Sequence, residues 1–316
     1  MRVMVTAAGA GPGTAIVKAL RRMGVEGTYV VAVDMSDDAA GLYLADAGEL
    51  VPSAKSPGYV DRIEEIARAH DLNLLVPIFD LETPVFAAHR ERLEAAGFPV
   101  AVNSVEAVAA ANDKIRSFAI CANAGIRQPE RFAAPSDAPP SAFPLLGKPI
   151  GGVGSKGMVL LETPADPLPR GVDTAALVWQ RFVRGPEYSI DTWGKPGSGR
   201  FVAVPRHRRL IRAGQMVQGQ TVADPDLLAF AAAACEAFGI EDVACLQVIR
   251  SDDDGELYFV EMNPRYGTGI SLSIAAGVPF PRLQWLAAHD PGAITDDMLR
   301  FRSGVKMIRY WEEIFR

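Results

Sequence analysis

The 316-residue chain is predicted to be an α/β protein, with a helix-covered parallel sheet first and a two-lobed part after it. From Arg2 to Val102, apolar strand-like runs alternate with amphipathic helical runs, the pattern of a parallel sheet. From Asn103 the alternation breaks, and β-branched runs separated by polar or glycine-rich turns follow, the pattern of hairpins. Hydrophobic residues make 49% and charged residues 22%, ordinary for a soluble chain, and the length suits roughly two domains or one domain with two lobes.

Arg2 to Ala8 reads as a strand, Gly9-Ala10-Gly11-Pro12-Gly13 as a tight turn, Thr14 to Met23 as a helix and Tyr29 to Asp34 as a second strand. This βαβ unit resembles a dinucleotide fingerprint with Asp34 placed for a ribose hydroxyl, but Thr14 stands where a third glycine is needed. The turn equally suits a helix that packs closely on its strand. Ser56 to His70 and Glu82 to Ala96 have helical spacing, while Leu74 to Phe79 and Pro99 to Val102 read as strands. Asp80 and Glu82 follow a strand's carboxyl end, where such sheets hold ligands; they either touch a substrate or cap the next helix.

Beyond Asn103, Ser104 to Ala111 forms a helical stretch, and Asn112-Asp113-Lys114 caps a helix to about Ala124. The prolines of 133–143 impose a loop. Pro144 to Pro149, carrying Lys148, is extended and leads into Gly151-Gly152-Val153-Gly154-Ser155-Lys156-Gly157. The glycines provide main-chain N–H groups able to fold over anionic oxygens. Lys156 is followed by glycine and a strand, so the run is a loop between strands rather than a Walker sequence.

Ala176 to Phe182 and Tyr188 to Trp193 are strands, and Phe201 to Val204 leads into the basic run Arg206 to Arg212. Leu227 to Phe238 is a helix stopped by Gly239. Leu246 to Arg250 and Leu257 to Asn263 flank a polar SDDDGE turn and form a hairpin. Glu261 and Asn263 share a face by alternation, and a three- or five-residue loop brings Gln247 opposite Glu261. These oxygen ligands suit Mg²⁺ completed by phosphate, with Arg265 near the phosphate; an ordinary hairpin with a solvated polar face is the other reading. Pro281 to Ala288 is helical, and Gly304 to Arg309 is a strand in which Lys306 and Arg309 alternate with apolar neighbours.

A net charge of −6 gives no case for nucleic acid or an anionic membrane. No apolar run approaches a membrane span and no leader pattern precedes the first strand, so a cytoplasmic location is expected. Cys121, Cys235 and Cys245 are widely spaced, which disfavours zinc and a disulfide framework.

Taken together, Lys114, Lys148 before GGVGSKG, WQRFVRGPEYSID, the arginine-rich strand, and Gln247 with Glu261-Met262-Asn263-Pro264-Arg265 resemble the ATP-grasp superfamily, most of all its carbamoyl-phosphate-synthetase-like carboxylate–amine ligases. The resemblance implies a Rossmann-like N-terminal domain at 1–103, a small lobe with the glycine loop at 104–178 and a large lobe with the metal site at 179–316. It implies ATP held by Lys114, Lys148, the loop residues Gly151, Gly152, Gly154 and Ser155, the hinge Gln180, Arg181, Phe182 and Val183, and Glu187 on the ribose. Gln247, Glu261 and Asn263 would hold one or two Mg²⁺ ions, with Mn²⁺ able to substitute. Arg265, Arg206 and Arg209 would be catalytic, and Gly11, Asp80, Glu82, Arg212, Lys306 and Arg309 would border the substrates.

Two departures stand out: Gln180 where a hinge glutamate is common, and Gln247 where many relatives carry an acid. The implied activity is amide or peptide bond formation between a small-molecule carboxylate and an amine through an acyl phosphate, by a chain able to form a homodimer. A nicotinamide-dependent oxidoreductase using Gly9 to Asp34 and a non-catalytic ATP-binding regulator are the rival readings.

Overall fold

The computed structural model describes residues 1–150 and 157–315. The first strand, β1 (Arg2–Val5), is apolar without alternation because both its faces are covered; Val3, Met4 and Val5 are fully buried. It pairs in parallel with β2 (Tyr29–Asp34) and β4 (Leu74–Val76), and β3 (Ala47–Leu50) extends the sheet to the order β3-β2-β1-β4. The parallel-sheet N-terminal domain is therefore present. The expected strand at 99–102 reduces to a single bridge, Leu75 to Val100.

The glycine turn opens helix α1 (Gly11–Arg22), and a side chain at Gly13 would strike the Ala7 carbonyl at 2.4 Å, so that glycine serves close helix–strand packing. A short helix, α2 (Ala40–Leu44), links β2 to β3. On the far face, α3 (Tyr59–Ala69), α4 (Thr83–Ala88) and α5 (Arg90–Ala95) close a core around Met4, Val31, Ile63 and Phe86.

The large lobe is a six-stranded antiparallel sheet, β13-β12-β9-β10-β11-β14. Its strands are β9 (Glu187–Lys195), β10 (Arg200–Arg212), β11 (Gln215–Thr221), β12 (Ala244–Arg250), β13 (Leu257–Asn263) and β14 (Lys306–Ile308). Phe201 to Arg212 is thus one continuous strand. Helix α8 (Pro225–Phe238) covers one face; Asp224 caps it through the Asp226 and Leu227 N–H groups, and Gly239 ends it in the left-handed region. Helices α9 (Ile270–Ala275) and α10 (Phe280–His289) pack against α1, so that Val3, Ile16 and Val30 share a core with Val204, Ile270 and Phe280.

The small lobe is a four-stranded sheet, β5-β8-β6-β7, from β5 (Arg131–Phe132), β6 (Leu145–Pro149), β7 (Val159–Leu161) and β8 (Leu177–Arg181), over a core centred on Trp179. Two expected divisions shift. A cut at 178/179 would split β8, and the lobes part after Arg181. Helices α6 (Val105–Asn112) and α7 (Lys114–Asn123) do not join the small lobe: Ala107, Ala110 and Cys121 lie in the large-lobe core with Leu227 and Leu246. The junction at Asn103 is rigid, since its amide donates to Val243 O at 2.9 Å and accepts from the Glu241 and Asp242 N–H groups.

Candidate active site

Strand alternation sorts the large-lobe sheet into two faces. One is apolar and meets α8. The other carries Glu187, Ser189 and Asp191 on β9, Cys245 and Gln247 on β12, and Arg206 on β10 beside Ser189. Gln247 stands opposite Glu261, as expected, but by a different route. The loop at 251–256 has six residues, and the register Arg250–Leu257, Ile249–Tyr258, Val248–Phe259 would continue to Val260. A bulge at Val260 advances it by one. Without that bulge Glu261 would turn into the core and Met262 outward; with it Met262 is buried, Glu261 is exposed and Asn263 shares its face.

The side-chain oxygens of Gln247, Glu261 and Asn263 have the chemistry that suits a hard cation bringing phosphate with it. Asn263 donates through Nδ2 to Glu261 Oε1 at 2.9 Å, holding the carboxylate, and only one formal charge is supplied. Among the described residues no group of three His, Cys, Asp or Glu side chains could hold a metal alone. The set therefore suits Mg²⁺ carried by a nucleotide better than a resident ion.

Lys148 projects from the small lobe on the face it shares, by alternation, with Leu146, Val178 and Gln180. It lies half-buried, and burial pushes its ammonium below the ordinary lysine value; Glu261 and Glu187 oppose that shift and Lys114 adds to it. Lys114, Lys148, Glu187 and Glu261 are thus neighbours across the cleft. Lys114 Nζ donates to Ile150 O at 3.2 Å at the entry to the glycine loop. Gly151, Gly152, Gly154 and Ser155 lie outside the described residues.

Gln180 is buried and its Oε1 has no hydrogen-bond donor, an orphaned acceptor facing the cleft that fits an exocyclic amino group. Phe182 N donates to Pro144 O at 2.8 Å, so the hinge is tied to the small lobe. Arg181 instead is exposed; it pairs with Asp253 at 3.2 Å and lines a cavity of about 270 Å³ with Arg127, Gln128 and Tyr258. Burial pushes the Glu187 carboxyl upward while Arg208, 2.9 Å away, pulls it down.

The arginines divide sharply. Arg206 is fully buried and paired with Asp191 at 2.6 Å, which also accepts from Ser273 Oγ at 2.6 Å. Two residues on, Arg208 shares that face, with only 6% of its side chain exposed. Sequence reasoning passed over Arg208, although strict alternation from Arg206 points to it. Arg209, chosen instead, is the extra residue of a β10 bulge and is exposed, as are Arg212 and Lys306. Those three are not brought into the cleft. Arg309 is: it is half-buried, donates to Thr268 O, and would lie 3.9 Å from a side-chain atom placed at Gly11. The Nε atoms of Arg206, Arg208 and Arg309 are all buried without an acceptor.

Asp80 and Glu82 play unlike parts. Glu82 faces inward, accepting from Thr6 Oγ1 at 2.6 Å and Tyr59 Oη at 2.8 Å, and burial pushes its carboxyl upward; it does not line the cleft, and it stands at the N-cap of α4 without a side-chain capping hydrogen bond. Asp80 reaches out of the N-terminal domain and pairs with Arg265 through both carboxylate oxygens, Oδ2 to Nη2 at 2.7 Å. Asp34 accepts from Gly9 N at 2.8 Å and Ser36 N at 3.0 Å, which ties the glycine turn to the end of β2.

Residues 173–310 match the family model described as ATP-grasp in the biosynthetic pathway with Ter operon, and residues 3–101 match the PylC-like N-terminal domain. No curated protein sequence matches the chain. Among solved structures, biotin carboxylase from Campylobacter jejuni, in complex with β,γ-ATP, superposes with a TM-score of 0.74 at 17% identity over 95% of this chain and 73% of that one. The biotin carboxylase domain of Hydrogenobacter thermophilus 2-oxoglutarate carboxylase, with MgADP, ADP and bicarbonate, gives 0.69 at 16% over 95% and 72%. L-amino acid ligase from Bacillus licheniformis gives 0.68 at 17% over 95% and 77%.

Proposed function

Because this chain has the ATP-grasp fold, we propose that it is an ATP- and Mg²⁺-dependent ligase that joins a small-molecule carboxylate to an amine through an acyl phosphate. The observation that carries this reading is the convergence of Lys148, Glu187, Gln247, Glu261, Asn263 and Arg265 on one cleft between two lobes. Phosphoryl transfer needs charge neutralisation and alignment more than a protein nucleophile. Lys114 and Lys148 neutralise the phosphates, the hinge from Gln180 to Val183 with the Gln180 acceptor takes adenine, and Glu187 takes the ribose. Gln247, Glu261 and Asn263 hold Mg²⁺, which supplies charge neutralisation on the phosphate oxygens. Arg208 and Arg309, with Gly11 beside the latter and Arg206 buried on the same sheet face as Arg208, form the basic side that suits the acid to be activated.

The oxidoreductase reading rests on Gly9 to Asp34 alone, where Thr14 stands in place of the third glycine and Gly13 serves helix–strand packing. Incubating the protein with ATP, Mg²⁺ and mixtures of amino acids, small acids and amines, and reading ADP and product mass, tests the proposal. ADP release that requires both an acid and an amine, with a product lighter than their sum by one water, is expected. Absence of ADP release with every mixture overturns the ligase reading. Retained nucleotide binding with no turnover would favour a regulator, and in a ligase Glu261→Ala abolishes Mg²⁺-dependent ADP release with the fold retained.

A further inference from the structure

Asp80 and Arg265 are 185 residues apart in sequence and meet where the N-terminal domain abuts the metal end of the cleft. Asp80 follows β4 and the glycine turn follows β1, the two neighbouring strands at which the sheet order reverses. Parallel sheets hold ligands in that crevice. Here Arg265 enters it. Its Nε donates to Asp80 Oδ1 and its Nη2 to Asp80 Oδ2 at 2.7 Å; each side chain is 16% exposed.

The contact continues in both directions. Arg265 Nη2 donates to Asn263 Oδ1 at 3.1 Å and Nη1 to Tyr266 O at 2.9 Å, and Asn263 Nδ2 donates to Glu261 Oε1 at 2.9 Å. Behind Asp80, Phe79 N donates to Glu82 Oε2 at 3.3 Å, and Glu82 is anchored by Thr6 and Tyr59 in the domain interior. Hydrogen bonds on either side of the Phe79–Asp80 peptide thus connect the N-terminal core to Glu261. A two-pronged carboxylate fixes the plane of a guanidinium as a single contact does not.

We propose that Asp80 is a positioning residue for phosphoryl transfer, holding the Arg265 guanidinium in the arrangement that the transferring group requires. The proposal rests on the ligase reading. A side chain that only braced the domain junction would, on removal, weaken the protein and its nucleotide binding alike. A positioning residue acts selectively on the state in which charge spreads over the transferring group.

The full chain is titrated with Mg·ADP, and again with fluoroaluminate added as a mimic of the transferring phosphoryl group. The unmodified protein is expected to bind Mg·ADP at least about tenfold more tightly with fluoroaluminate. Asp80→Asn should leave Mg·ADP affinity within about twofold and abolish most of that gain, and Asp80→Glu should recover part of it. Arg265→Lys should show the same selective loss, and combining it with Asp80→Asn should add little. Equal loss of both affinities, or an undiminished gain in Asp80→Asn, overturns the positioning role alone. No gain from fluoroaluminate in the unmodified protein overturns the ligase reading and this proposal together. Should Asp80→Asn not fold, Asp80→Glu and Arg265→Lys decide by the same two affinities.

Discussion

Gln247 faces Glu261 across β12 and β13 in a register one residue removed from the one the hairpin keeps at its turn. Val260 absorbs the difference. Deleting Val260 regularises the ladder and leaves Glu261 and Asn263 on the cleft face, so Mg²⁺-dependent nucleotide binding should persist within about tenfold. Inserting one alanine after Met262 turns Asn263 toward the core, a burial that costs about 1–3 kcal/mol, and should abolish the Mg²⁺ dependence. Calorimetry with and without Mg²⁺ separates the two variants.

On the proposed function, Lys148 should link pH to nucleotide binding. Burial lowers its ammonium below the ordinary value of 10.5 in the free protein, and ATP phosphates favour its protonated form. Affinity for Mg·ATP should be full below the lowered value and fall as pH rises through it, approaching tenfold per pH unit, the slope of about one proton. Over the same window the unfolded chain holds more protons than the folded one, so stability rises with pH while affinity falls. Lys148→Arg should flatten both trends, read by titration and melting across neutral to alkaline pH.

Arg206 and Asp191 form a buried pair at 2.6 Å. Arg206→Leu leaves Asp191 uncompensated and should destabilise the fold by about 3–5 kcal/mol in urea. Arg206→Leu combined with Asp191→Asn should recover most of that, since Ser273 keeps an acceptor. Loss of turnover in the single variant without loss of stability would mean that Arg206 acts on the substrate directly.

Gly185, in the hinge, has φ +147°, and a side chain there would meet Arg250 O at 1.9 Å. Gly185→Ala should cost about 2 kcal/mol or more and weaken adenine nucleotide binding, because the displaced loop carries the Arg184 O to Asp252 N bond that anchors the hinge. Thermal melting with and without Mg·ATP provides the check.

Much of this site is written in local pattern. Period-two alternation puts Glu261 and Asn263 together, and the SDDDGE turn identifies their hairpin. What escapes is register. Alternation alone puts Arg208 with Arg206 and Arg209 opposite, but the bulge at Arg209 takes Arg212 off the face that alternation from Arg206 would give it. The bulge at Val260 likewise leaves no compositional mark, so the sequence does not show how a six-residue loop still brings Gln247 opposite Glu261. β11 has glutamines on an interior strand and no apolar alternation to announce it. The Asp80–Arg265 pair lies beyond any local window, and α6 and α7 follow the fold's long-range packing rather than their neighbours in sequence.

The sheet of the large lobe takes its sixth strand from residues 306–308, and Arg309 just beyond returns to the turn that opens α1. During synthesis the four parallel strands are all available early, but the surfaces that cover Ile16 and Leu20, including Ile270, Phe280 and Leu283, emerge some 250 residues later. At ordinary translation rates that interval is roughly ten seconds or more. Helix α1 can pack on the parallel strands early, but its contacts with α9 and α10 form late. Slow pauses late in the message would therefore act on the junction of α1 with α9 and α10 rather than on the cleft between the two lobes.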